Sequence, residues 1–211
     1  MKKQITALML CMCTAVCAVN GCEEKSSSVA VSQETTVSSV SEPTAKLPEG
    51  GFTFDDVLNS LSVCGQKIVF PLSLNSLGDD FDFDSNISYF EGESASVKLK
   101  YKGVEIAHAT LRNCTEEKGA DRDTEIGVLT FNENFMTENK IDSPVNIGGL
   151  KLGISLDELS ECVPENNLKK MTDIYEYSDK ETGQTILMLS VSENKVTDIS
   201  VYFTDPAFFV E

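Results

Sequence analysis

The chain has 211 residues, with 34 Asp and Glu against 17 Lys and Arg, a net charge of −17, one histidine and no tryptophan. Such a field disfavours nucleic acid and anionic lipid headgroups as partners. A single histidine leaves no spacing from which a Ser/His/Asp triad or a Cys/His zinc cluster is argued, while the length suffices for one sizeable domain or two small ones plus a linker.

The N-terminus opens with Lys2 and Lys3, followed by a run from Ile5 to Val19 broken only by Thr6 and Thr14. That run falls short of the 18 or so apolar residues of a membrane span. A basic start, a short apolar stretch and a small residue before the break form the secretory signal pattern. The break, Val19-Asn20-Gly21-Cys22, resembles the bacterial lipobox; Val19, Gly21 and Cys22 match it, and Asn20 stands where Ala or Ser is more usual. The resemblance implies cleavage before Cys22 and a diacylglyceryl group on its thiol. Two acyl chains anchor stably where one does not. The expected location is therefore the outer face of a bacterial cytoplasmic membrane, held by lipid without crossing it. Residues 1–21 are then a signal peptide, and the mature chain, without Lys2 and Lys3, carries 34 acidic against 15 basic residues, a charge of −19.

From 22 to 48 the chain is the lipidated cysteine and a Ser/Thr-rich linker with scattered Glu and no large aromatic. Its apolar content is too low to bury a core, so it reads as disordered. The 26 residues after Cys22 span roughly 28 Å as a coil.

Regular patterns begin near Gly50. Thr53 caps a short helix reaching about Leu61, with acidic residues in its first turn. A strand is expected at Lys67–Phe70, stopped by Pro71, and one or two helical turns over Ser73–Leu77, ended by Gly78. Strands follow at about Ile87–Glu91, Ser96–Tyr101 and Val104–Arg112. In the middle one Val97, Leu99 and Tyr101 alternate with Lys98, Lys100 and Lys102, the period of a half-buried strand. Lys102-Gly103 predicts a tight hairpin, and Ile126–Phe131 a further strand after an acidic loop.

The second half reads alike: a short strand at Leu150–Leu152, a helix opened by Ser155 and Glu158 at capping-box spacing and ended by Pro164, then strands at Asp173–Tyr177, Thr185–Val191 and Lys195–Phe203. Ser73–Leu77 lies over Ser155–Leu159 at a shift of 82. Val97, Leu99, Tyr101 and Ile106 lie over Leu187, Leu189, Val191 and Val196 at a shift of 90, as do Ala109 and Leu111 over Ile199 and Val201. The predicted fold is α+β, with two tandem helix-plus-antiparallel-sheet repeats, 49–131 and 132–211, forming one continuous or two adjacent antiparallel sheets with short helices on one face. The order of elements resembles the beta-lactamase inhibitor protein fold and related envelope lipoproteins of the SmpA/OmlA type. The run GGLKLGISLDELSECV and the strands after it are similar to a repeat unit of Gram-positive lipoproteins. The resemblance covers Val145–Phe203 best and implies a fold, not a reaction.

Among chemistry-bearing residues, the stretch from Asp80 to Glu91 fits a calcium loop best, with Asp80, Asp82 and Asp84 at positions 1, 3 and 5 and Glu91 at 12. Against it, Ser85 stands where the loop needs glycine, and Phe81 and Phe83 alternate with the aspartates as in a strand edge. Of the cysteines beyond the signal, Cys64 and Cys114 are the expected disulfide pair if one forms, and Cys162 reads as a small buried residue on a helix. His108 falls on a polar face. The carboxylate pairs Asp55/Asp56, Glu116/Glu117 and Asp121/Asp123 lie in polar surroundings without the burial that raises an acid's pKa. Gly148-Gly149 is a turn without a phosphate-loop signature, and Ala207–Val210 a packed terminus.

These readings predict a tethered, non-catalytic module that binds a protein or cell-envelope component and needs no cofactor. The alternatives are a structural envelope-assembly lipoprotein, a cation-binding protein or a surface hydrolase.

Overall fold

A computed structural model describes residues 45–90, 93–166 and 168–203. Cys22, the signal, most of the linker, Glu91 and Ala207–Val210 lie outside the described residues. Among the described residues, four short helices, α1 (Phe54–Ser60), α2 (Leu74–Leu77), α3 (Glu133–Asn139) and α4 (Leu156–Cys162), accompany twelve strands. The strands are β1 (Leu61–Val63), β2 (Gln66–Lys67), β3 (Phe81–Phe83), β4 (Ser88–Phe90), β5 (Ser94–Tyr101) and β6 (Val104–Arg112), then β7 (Ile126–Asn132), β8 (Val145–Ile147), β9 (Leu168–Met171), β10 (Ile174–Ser178), β11 (Thr185–Ser192) and β12 (Lys195–Tyr202). No helix among the described residues is long and apolar enough to cross a membrane.

Local chemistry sets the helix starts. Thr53, Ser73 and Ser155 each close a capping box, with Asp56, Ser76 and Glu158 returning a bond to the cap residue's N–H. α2 stops at Gly78, whose φ of 101° favours glycine. α1 is additionally held from afar: Asp179, only 6% exposed, accepts from the N–H of Phe54 at 2.7 Å and from those of Glu181 and Thr182. Burial pushes its carboxyl up, but these amides prevail and hold it below the usual carboxylate range.

The fold is α+β, and its strands pair antiparallel. Nine strands form one sheet in the order β3-β5-β6-β7-β12-β11-β10-β9, with β4 also on β5; β2-β1-β8 form a small second sheet. β7 joins the halves by pairing with both β6 and β12, and the small sheet takes β1 from the first half and β8 from the second. The large sheet's core face is a continuous row: Val97, Ala109, Leu129, Val201, Leu187 and Tyr177 are aligned partners and all buried. Each such large side chain stabilises the fold by about 1.5–3 kcal/mol.

Several expectations shift. Leu47, read as linker, is 5% exposed and packs in the core. The strand after the first helix is Leu61–Val63, pairing with β8, because Ser62 faces out between two buried apolar residues. In the second half the strand is Val145–Ile147; Leu150 only bridges back to Ile147 across the Gly148-Gly149 turn. Two further elements, α3 and β9, stand where the pattern of residues predicts no helix or strand, while the strand-edge alternation of Phe81 and Phe83 is the short β3. The helices also do not share one face, since α3 packs on the side of the sheet away from the core, its Phe135 ring 5.1 Å from that of His108.

Candidate functional site

Successive side chains on a strand point to opposite faces, so the row beside the core row faces away from the core and is open except where α3 sets Phe135 against His108. It runs Lys98, His108, Thr130, Ser200, Met188, Glu176 and Lys169 across seven neighbouring strands from β5 to β9. Its polar groups largely satisfy one another. Thr130 and Ser200 share a hydrogen bond at 2.9 Å. Lys98 pairs with Glu105 at 2.8 Å and Lys169 with Glu176 at 3.6 Å, while Asn132 donates to Asp198 and Thr185 to Glu176. Tyr202 lies along this face with its hydroxyl 3.9 Å from the Met188 sulfur, and burial raises its phenol pKa. Two exposed apolar side chains close the ends of the face: Phe90, 56% exposed, opposite Ser94, and Met171, 40% exposed, opposite Ile174. Arg112 crosses the bulge residue Gly127, where a Cβ would fall 2.5 Å from its Nε, and reaches Glu125 at 3.7 Å.

Two cavities lie at hairpin turns. The first, 360 Å³, sits beside the β5–β6 turn and is apolar, walled by Tyr101, Val104, Ile106, Ile141, Pro144 and Cys64. Burial pushes the Cys64 thiol up to about 12, so at neutral pH it is protonated and no nucleophile. The second, 650 Å³, sits beside the β11–β12 turn and is polar.

The residues singled out from sequence do not converge. Cys64 and Cys114 are free thiols: Cys64 shares a cleft with Val104 at the start of β6, whereas Cys114 follows the end of β6, about 30 Å along an extended strand and far beyond disulfide reach. Cys114 instead donates to the Gly119 carbonyl at 3.3 Å. His108 sits in the open row, away from both. Cys162 is half-buried at the end of α4, with its sulfur 3.1 Å from where a Cβ on Gly149 would lie.

The described aspartates of the calcium-loop stretch are not gathered around one point. Phe81–Phe83 is a strand paired with β5, so the aspartates project singly and meet lysines: Asp80 meets Lys102 at 3.4 Å and Asp84 bonds Lys100. That bond with Lys100 holds the Asp84 carboxyl down at about 2. Among the described residues no three His, Cys, Asp or Glu side chains are placed to hold a metal ion. The polar groove is not foretold by the sequence; its one signal there is the polar run Ser192-Glu193-Asn194 between two strands. Comparison with protein-family models, curated proteins and solved structures finds no match to the chain.

Proposed function

We propose that the chain is a lipid-anchored, non-catalytic binding module of the bacterial cell envelope. Its acylated Cys22 and leash hold the domain at the outer face of the cytoplasmic membrane. The open sheet face is its contact surface for a protein or envelope component. The observation that carries this reading is the pairing of Phe90 and Met171, exposed at the two ends of that face, with a polar row whose hydrogen bonds are already made. Apolar ends give a partner area to bury, and a self-satisfied middle costs little to desolvate.

In this reading the two halves are copies of one unit. Supporting it, Ser73 and Ser155 close capping boxes 82 residues apart, and the β5–β6 and β11–β12 hairpins share a turn and a bulge. The test places a photo-crosslinking side chain at Tyr202 on the open face and, in a second variant, at exposed Lys180 on the β10–β11 loop, in intact cells. One discrete adduct from position 202 and none from 180 supports the reading; indistinguishable adducts from both sink it. Loss of radiolabelled fatty acid and of membrane retention in Cys22→Ala tests the anchor separately.

A further inference from the structure

The polar groove beside the β11–β12 turn lies outside the open-face reading. At 650 Å³ it falls in the size range of small-molecule sites. Tyr175, 6% exposed, lines it with its ring beneath the Lys170 ammonium, 4.7 Å from the ring centre, and Leu156 and Val191 form apolar wall. Over the open face, polar side chains spend their hydrogen bonds on one another. In the groove Thr197 does so too, donating to Asp198 and to the Ser190 carbonyl, but the hydroxyls of Thr172, Ser190 and Ser192, the Asn194 amide and the carboxylates of Asp173 and Glu193 have no side-chain bond among the described residues. Six unspent polar side chains thus surround one concavity with a small apolar wall.

A dense set of hydroxyl, amide and carboxylate groups around small apolar patches matches a polyhydroxylated ring, which offers alternating hydroxyls and C–H surface. Charge narrows the class. The groove's ammonium, that of Lys170, is engaged on the Tyr175 ring, its two carboxylates meet no cation among the described residues, and the chain carries −17 overall. An anionic sugar would meet repulsion there, whereas an ammonium group would gain charge-assisted hydrogen bonds.

We propose that this groove binds a saccharide bearing a free amino group, whose ammonium is held by Asp173 and Glu193 and whose hydroxyls are held by Ser192 and Asn194. The site is separate from the open face and stands or falls independently of any partner bound there.

The test is calorimetric titration of the full-length chain, in a detergent without a sugar headgroup, with three disaccharides: one of glucosamine, its N-acetylated form and a uronic-acid analogue. Binding of the glucosamine form, weakened about tenfold by N-acetylation and absent for the uronate, is expected; loss of one charge-assisted bond accounts for such a factor. Asp173→Asn and Glu193→Gln should each weaken it about as much, with unchanged circular dichroism, while Thr130→Val on the open face leaves it intact. No heat with the glucosamine form overturns the proposal. So does equal binding of the N-acetylated form, or a Thr130→Val effect matching that of Asp173→Asn.

Discussion

The β5–β6 and β11–β12 hairpins follow one backbone plan but meet the core with opposite faces. Each turns on two residues of positive φ, Lys102 (50°) and Gly103 (82°) in the first, Glu193 (50°) and Asn194 (64°) in the second, a geometry that matches strand twist. Each has a bulge at the same distance from its turn, between Leu99 and Lys100 in one and between Ser190 and Val191 in the other. Turn and bulge coincide at a shift of 91, whereas the apolar residues coincide at 90. Side chains alternate with period two, so an offset of one reverses the face. Leu99 is fully buried before its bulge, and Ser190, its counterpart, is only half-buried. The same offset sets Lys102 and Ile106 against Glu193 and Thr197, which gives an apolar cleft beside one turn and a polar groove beside the other. Backbone plan and buried face are therefore specified by different residues: the turn pair fixes the first, the apolar alternation the second.

The largest test of this separation is a matched pair of truncations. Leu99→Ala should cost about 2–5 kcal/mol, the range for a fully buried leucine. Ser190→Ala, at the equivalent backbone position, should stay within about 0.5 kcal/mol. Urea unfolding of both variants reads the difference, and similar losses would break the comparison. A smaller effect probes what the hairpins share. Gly103→Ala forces a β-carbon into the left-handed region at a cost of about 1–2 kcal/mol. Asn194→Ala should cost less, since asparagine already bears part of that strain. If Gly103→Ala were neutral, the first turn would not hold Gly103 in the left-handed region.

Much of this plan is legible in the chain because it is written locally. Ser155 and Glu158 announce a capping box, Lys102-Gly103 a tight turn, and Val97-Leu99-Tyr101 a half-buried strand. What the chain does not announce is set by partners distant in sequence. Leu61–Val63 is too short to show a period and becomes a strand by pairing with Val145–Ile147. Leu168–Met171 carries two lysines and one strong apolar residue and is a strand because β10 is beside it. The shift of 90 is visible as side-chain pattern, while the shift of 91 depends on turn conformation and bulge position. The polar groove is invisible for the same reason, being assembled from the β9–β10 and β11–β12 turns.

Acid should separate the hairpins further, because the first carries an ion pair where the second has a valine. Asp84 is held at about 2 by its bond with Lys100, against an ordinary 3.8; Val191 stands at the position equivalent to Lys100. A carboxylate with a depressed folded pKa contributes stability that is complete above its unfolded pKa and lost as pH falls through the folded one. The contribution should thus fade between about pH 4 and 2. Lys100→Met should flatten that part of the stability profile, and Val191→Met should leave it unchanged. An unaltered profile in Lys100→Met would show that the pair does not form in solution.

The finest distinction is between a dry cleft and a wet one, and it leaves stability untouched. The Cys64 thiol, raised from the ordinary 9 to about 12 by burial in the first cleft, should at neutral pH hold about a thousandfold less thiolate than an exposed cysteine. Alkylation by iodoacetamide, followed by mass spectrometry, should therefore modify Cys64 far more slowly in the folded chain than in urea. Cys114, buried and bonded to Gly119, behaves as an internal reference for a thiol closed off by packing. In Thr197→Cys the new thiol lines the polar groove beside carboxylates and water, and it should react at nearly the unfolded rate. Equal protection at positions 64 and 197 would mean that the two turns enclose the same kind of space. The reversal of faces would then have no consequence for what each hairpin can bind.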